Sequence, residues 1–260
     1  MASAEFVSEF DNQYLCPMCD YVDSICDDDL TCGKCGHEPC FVARHINEGT
    51  RKFWIEKEQK LGNWRFEKRF STMIKDSIPK DKELIKNFQK SVKGVFKLFG
   101  LNKNNLQEIF PQYTRDYKRT TGRRETGWKR KGSESKQKQG AARGALYEGA
   151  MNNLMGDHEF FEPVRVPIPY HSSVASKEST YEPDFWFLFE DQDIPVEFKT
   201  FGEGSMVKSK FIRGIRQSRR YGNLSHLTHN NPQKYSAIIV CCPEERTFSC
   251  AIVDDNANRL

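Results

Sequence analysis

Two apolar stretches of this chain are each interrupted by charge, and that pattern constrains it more than any other feature. Tyr181 to Phe189 (YEPDFWFLF) carries Asp184 after Pro183 at the head of an aromatic run, and Ile194 to Phe201 (IPVEFKTF) carries Glu197 and Lys199. Both have the length and residue types of strands. Side chains alternate across a strand, so Glu197 and Lys199 stand on one face and Phe198 on the other. Charges in an apolar sheet are costly to bury without partners, and a divalent cation held by carboxylates is a partner that offsets the cost. The plain structural alternative has Asp184 capping a turn, Glu197 and Lys199 paired on an edge strand, and nothing bound.

The flanking segments predict the architecture. Gly144 to Met155 reads as a short helix, Val164 to Tyr170 as a strand, the two charged stretches as further strands, and Met206 to Gly222 as a basic helix. Tyr235 to Cys242 and Thr247 to Val253 are β-branched runs of strand length. Helix, three strands, helix, two strands predicts an α/β fold, a mixed central sheet flanked by helices, over residues 144–260.

With Pro183-Asp184 and Glu197-Phe198-Lys199 in that order, the chain resembles the PD-(D/E)XK nuclease superfamily, the restriction-endonuclease-like fold. Glu148 lies on a helix upstream, where many members carry a further acid beside the metal. Gln217 and Tyr221, four apart on the later helix and so on one face, look like the Q-x-x-x-Y element of the RecB-like subgroup. The match covers about residues 141–255. The resemblance implies hydrolysis of a phosphodiester with Mg2+ or Mn2+ held by Asp184, Glu197 and Glu148, directly or through water. It implies that Lys199 orients the attacking water and stabilises charge on the phosphate, while Gln217 and Tyr221 position the strand. Arg213, Arg216, Arg219 and Arg220 on that helix are candidates to clamp neighbouring phosphates.

Six of the nine cysteines fall between Cys16 and Cys40. Cys16-Pro17-Met18-Cys19 and Cys32-Gly33-Lys34-Cys35 are C-x-x-C pairs, metal spacing rather than disulfide spacing. The module resembles a zinc ribbon over about residues 14–42, with Cys16, Cys19, Cys32 and Cys35 around a structural Zn2+. Cys26, His37 and Cys40 are spare ligands. A closed four-sulfur site leaves no open position for water, so this zinc folds residues 1–46 and does no chemistry. Cys241, Cys242 and Cys250 raise the thought of an iron-sulfur cluster, but adjacent strand residues point to opposite faces, and they read as buried thiols.

Charge is segregated along the 260 residues. Residues 1–31 hold eight acids and no Lys or Arg, residues 32–143 hold 28 basic and 12 acidic residues, and the remainder 12 and 16. The densest run, 118–143, reads as a basic linker or arm, with Arg123, Arg124, Lys129, Arg130 and Lys131 placed to meet nucleic-acid phosphate. Residues 47–117 read as a helical basic region. Within it, Asp81 to Gly100 predicts an amphipathic helix with lysines outside and Gly100 as its stop, and Trp54, Trp64, Phe66 and Phe70 read as core rather than base-stacking aromatics.

The expected function is a Mg2+-dependent deoxyribonuclease, an endonuclease of restriction, viral or mobile-element type, acting on DNA with RNA open. The alternatives are a RecB-like exonuclease or repair nuclease, and a non-catalytic zinc-containing nucleic-acid-binding adaptor. No G-x-x-x-x-G-K-[ST] phosphate loop is present to drive unwinding. The ribbon is a candidate contact for a protein partner or a homodimer. The acidic first residues and lack of a long apolar run predict an intracellular protein, cytoplasmic or nuclear, with no membrane partner.

Overall fold

The structure, a computed structural model, describes residues 13–15, 22–24, 41–46, 48–68, 72–111, 113–117, 134–162, 168–171, 178–181, 183–204, 209, 211–219 and 234–254. The chain begins with strands β1 (Gln13–Leu15), β2 (Val22–Ser24) and β3 (Phe41–His45), followed by helix α1 (Glu48–Lys60), strand β4 (Arg65–Phe66), the long helix α2 (Lys82–Leu101) and the short helix α3 (Leu106–Ile109). Strand β5 (Tyr113–Tyr117) and helix α4 (Glu134–Gly156) lead to β6 (Phe161–Glu162), β7 (Ile168–His171), β8 (Glu178–Tyr181), β9 (Phe185–Phe189) and β10 (Gln192–Thr200). Helix α5 (211–219) then precedes β11 (Tyr235–Cys242) and β12 (Thr247–Asp254).

Among the described residues, the largest sheet has six strands in the order β4-β12-β11-β10-β9-β6. β9 runs antiparallel to both β6 and β10, β10 and β11 are parallel, and β12 turns back antiparallel on β11. A parallel pair cannot be closed by a tight turn, and the segment between β10 and β11 contains α5. The expected mixed sheet flanked by helices is present.

Alternation along these strands builds two apolar layers. Phe185, Phe187, Val196, Phe198, Ala237, Ile239, Cys241, Phe248 and Cys250 pack on one side with α1, α2 and α4. Ile238, Val240, Cys242, Ala251 and Val253 pack on the other with Phe211 and Ile215 of α5. α2 carries the first layer: Leu84, Phe88, Val92, Val95, Phe96 and Phe99 are buried, Phe96 stacks on Phe248 at 4.0 Å between ring centroids, and Phe88 meets Phe187 at 5.0 Å. Its N-terminus is capped by Asp81, whose Oδ1 accepts from the Glu83 and Leu84 amides at 3.1 and 3.0 Å.

Several expectations are corrected. Gly100 does not stop α2. It lies buried within the helix, 3.5 Å from Asn63 Oδ1 at the position a Cβ would take, and the helix runs on to Leu101. The helix expected from Gly144 starts at Glu134, so the last ten residues of the expected linker are its first turns. Those residues are mostly Ala, Lys, Gln and Arg, good helix formers, and Arg143 is held at 2.5 Å by Glu244. Of the strand expected over Val164 to Tyr170, residues 164–167 lie outside the described residues; the rest falls in β7, which among the described residues pairs with β8 and not with the main sheet, whose edge is β6. α1 and α2 share one core with the sheet, β4 joins its edge, and β5 pairs with β3.

At the N-terminus, β2-β1-β3-β5 form an antiparallel sheet. The expected zinc ligands Cys16, Cys19, Cys32 and Cys35 lie outside the described residues, as do Phe70, Tyr221, Arg220 and the arm residues Arg123, Arg124, Lys129, Arg130 and Lys131. No helix among the described residues is long and apolar enough to cross a membrane.

Candidate active site

β10 is an interior strand, with β9 on one side and β11 on the other. Glu197 and Lys199 are therefore not an edge-strand pair. Their cross-strand neighbours on β11 are Ile238 and Val240, which belong to the layer under α5, so both side chains face that helix. β9 pairs with β10 in a register that sets Phe185 against Val196. Asp184 immediately precedes that pair, next to the stretch of β10 that carries Glu197.

Asp184 is tied down further. The Phe198 amide donates to its Oδ2 at 2.6 Å, a bond between a side chain at the head of β9 and the backbone between Glu197 and Lys199. A hydrogen bond to an ionised acceptor contributes about 1.5–3 kcal/mol. Glu197 is 1% exposed; the Lys199 ammonium donates to its Oε1 and keeps about a third of the lysine side chain open to solvent. Among the described residues Glu197 Oε2, which is buried, has no hydrogen-bond partner. A buried carboxylate oxygen without a donor is expensive.

α5 forms the roof. Phe211, Gly214, Ile215 and Ser218 face the sheet, at the i, i+3, i+4, i+7 spacing of one helical face. Ser218 Oγ is 2.6 Å from the carbonyl oxygen of Ala237, to which it donates, and 3.3 Å from that of Pro195, anchoring the helix across β11 and β10. Gly214 allows the closest approach: a Cβ there would lie 2.4 Å from Ile238 Cδ1 and 3.7 Å from Lys199 Cγ. The lysine stem is thus confined between the sheet and the helix. Gln217, one turn from Gly214, is half-buried; Arg213 and Arg216 are exposed and Arg219 is half-buried.

Glu148 is half-buried on α4, the helix that packs on the opposite face of the sheet. Among the described residues no three His, Cys, Asp or Glu side chains form a metal-ligating group, so Glu148 does not close a triad with Asp184 and Glu197. The pair, its lysine and the unpartnered Oε2 are the assembled part of the site. This donor set suits a hard divalent cation: carboxylate oxygens, one of them buried and unsatisfied.

The sequence pointed to the acids and the lysine but not to what holds them. Ser218 and Gly214 carry only the signal of small residues spaced four apart in a helix. The second polar cluster had no signal: Glu58 of α1 is 2% exposed, paired with Arg246 and bonded by the Tyr147 hydroxyl. Arg246 also donates to the Gly62 carbonyl at 2.7 Å and lies 4.5 Å from the Trp64 ring centroid. These partners are 89 to 188 residues from Glu58. Comparison of the chain with protein-family models, with curated proteins and with solved structures finds no match.

Proposed function

We propose that the chain is a metal-dependent nuclease that hydrolyses DNA phosphodiester bonds, acting as an endonuclease, with Asp184, Glu197 and Lys199 at its centre. The observation that carries this reading is Glu197 Oε2, a buried carboxyl oxygen with no hydrogen-bond partner among the described residues, close to a second carboxyl group that accepts from the Phe198 amide. The α/β layout, with acids at the head of β9 and within β10 and a lysine two residues on, suits the restriction-endonuclease-like architecture that the resemblance implies.

Asp184 and Glu197 would hold Mg2+ or Mn2+, with water completing the shell, while Glu148, on the helix against the other face of the sheet, is not placed to join them. The ion supplies Lewis-acid polarisation of the phosphate and a lowered pKa for a bound water. The protein's own groups do the rest. The Phe198 amide fixes the Asp184 carboxylate, leaving it little freedom to reorganise. Lys199, held against Glu197 and under α5, presents its ammonium toward the open end of the site, where it orients the nucleophile and offsets charge on the phosphate. Gln217 and Tyr221 would position the substrate strand, and Arg213, Arg216, Arg219 and Arg220 its phosphates. For the N-terminal module, the paired strands β1 and β2 flank the first C-x-x-C pair in sequence, which fits a structural Zn2+ on Cys16, Cys19, Cys32 and Cys35.

The test is cleavage of supercoiled and linear DNA with Mg2+, with EDTA, and with Asp184→Asn and Lys199→Ala. Asn retains an acceptor for the Phe198 amide, so Asp184→Asn is expected to melt like the wild type, bind DNA, and lose at least a hundredfold of its cutting rate. Circles nicked only with metal and wild-type enzyme fit an endonuclease. Degradation confined to ends would instead mean the RecB-like exonuclease, and DNA retention without cutting under any metal would leave the adaptor.

A further inference from the structure

We propose that the outer face of α2 is a second nucleic-acid docking surface, on the side of the sheet away from Asp184 and Glu197, where lysines hold the phosphate backbone without performing chemistry. The choice of nucleic acid over another polyanion rests on the function proposed above; the surface itself does not.

Lys82, Lys86, Lys90, Lys93 and Lys97 are all exposed. At about 100° per residue they fall within an arc of roughly 80°, and fifteen residues of rise carry them along about 22 Å of helix. The row is opposite the buried stripe of Leu84, Phe88, Val92, Phe96 and Phe99, so burying that stripe forces the lysines outward. Soluble surfaces ordinarily intersperse both signs. Here the acids of the helix and its cap are Asp81, which is engaged in capping, and Glu83. None of the five lysines forms an ion pair among the described residues; Lys93 lies 4.3 Å over the Phe66 ring. A groove of about 440 Å³ lined by Lys82, Ile85, Lys86, Gln89, Lys90 and Lys93 runs along the same side.

A row of five like charges with no ion pair among the described residues costs self-repulsion, which a polyanion relieves. Duplex nucleic acid matches its shape, presenting about one phosphate per 3.4 Å along each strand, roughly six over this length. α2 packs on the layer holding Phe187 and Phe248, whereas Glu197 and Lys199 face α5. Phosphates held on α2 are therefore not those at the site. They belong to a distant part of the same molecule or to a second one.

The experiment measures binding alone, in EDTA, by fluorescence anisotropy of a labelled duplex of roughly 40 base pairs across a salt series. The variant Lys82→Gln/Lys86→Gln/Lys90→Gln keeps good helix formers and spares the Phe66 contact. It is expected to reduce the slope of log affinity against log salt by about 3, with the melting temperature and circular dichroism of the wild type. An unchanged slope and affinity in that folded variant overturns the proposal. So does a variant that keeps its DNA affinity but loses binding to poly-L-glutamate, because the face would then be built for an acidic protein. If the slope falls as expected while no metal supports cleavage by the wild type, the docking surface stands and the nuclease reading fails.

Discussion

Glu58 and Arg246 carry the largest single-residue stakes outside the site. Burial pushes the Glu58 carboxyl up to about 7, while the Arg246 guanidinium beside it pulls the other way. Folding therefore takes up a proton at Glu58 between its ordinary 4.5 and about 7. The stability linked to that proton is complete below the lower value and lost as pH rises through the upper one. Denaturant melts from pH 4 to 8 are expected to show this loss in the wild type and not in Glu58→Gln. Arg246→Met leaves a carboxylate buried without its cation and is expected to cost about 3–5 kcal/mol; Glu58→Gln/Arg246→Met should recover part of that. Arg246 also holds a backbone φ of 53°, in the left-handed region, at the turn between β11 and β12, so its side-chain contacts oppose local strain. The three thiols of β11 and β12 behave more simply. Cys241 and Cys242 point to opposite layers, all three are buried and free, and burial raises each thiol, Cys250 to about 12 and Cys242 to about 11. Iodoacetamide at pH 8 should modify them only as fast as the protein unfolds.

At the scale of elements, the site depends on how close α5 comes to β10 and β11. Glycine within a helix costs about 1 kcal/mol relative to alanine, and Gly214 is retained where a Cβ would press on Ile238 Cδ1. That atom is the far end of a side chain that can turn, so Gly214→Ala should change stability by less than about 1 kcal/mol. Gly214→Leu cannot be accommodated so cheaply. Overpacking of this kind costs roughly 1–3 kcal/mol, and lifting the helix off the Lys199 stem should lower kcat more than it raises KM. Ser218→Ala removes the anchor to the Ala237 carbonyl and should act in the same direction, more weakly. Glu197 and Lys199 were legible as a pair because alternation within one strand is local. The partnership of Asp184 with the Phe198 amide was not, since it depends on a register between strands that the sequence does not state.

For the molecule as a whole, the central fact is that the helical region and the sheet share one core. Six buried side chains of α2, at roughly 1.5–3 kcal/mol each, contribute about 9–18 kcal/mol, comparable with the entire stability of an ordinary domain. A fragment of residues 144–260 would expose Tyr147, Phe187 and Phe248 where α1 and α2 cover them. It is expected to be insoluble or molten, with no cooperative melt, while the full chain should give coincident unfolding of the α2 layer and the α5 layer by tryptophan fluorescence and far-ultraviolet circular dichroism. Residues 47–117, which composition alone set apart as a basic unit, are one wall of the fold.

Local pattern was enough to assign the α/β class, the amphipathic helix from Asp81, the strands β10, β11 and β12, and the shared face of Glu197 and Lys199. Each follows from a periodicity or a short-range bond that a few consecutive residues contain. Contacts across long stretches of chain decided the remainder: β6 at the edge of the main sheet, Glu58 against Arg246, the Asp184 carboxyl on the Phe198 amide, and Glu148 on the helix behind the sheet. Those outcomes depend on which surfaces meet when the whole apolar area is buried at once, and that competition leaves no mark in any single segment.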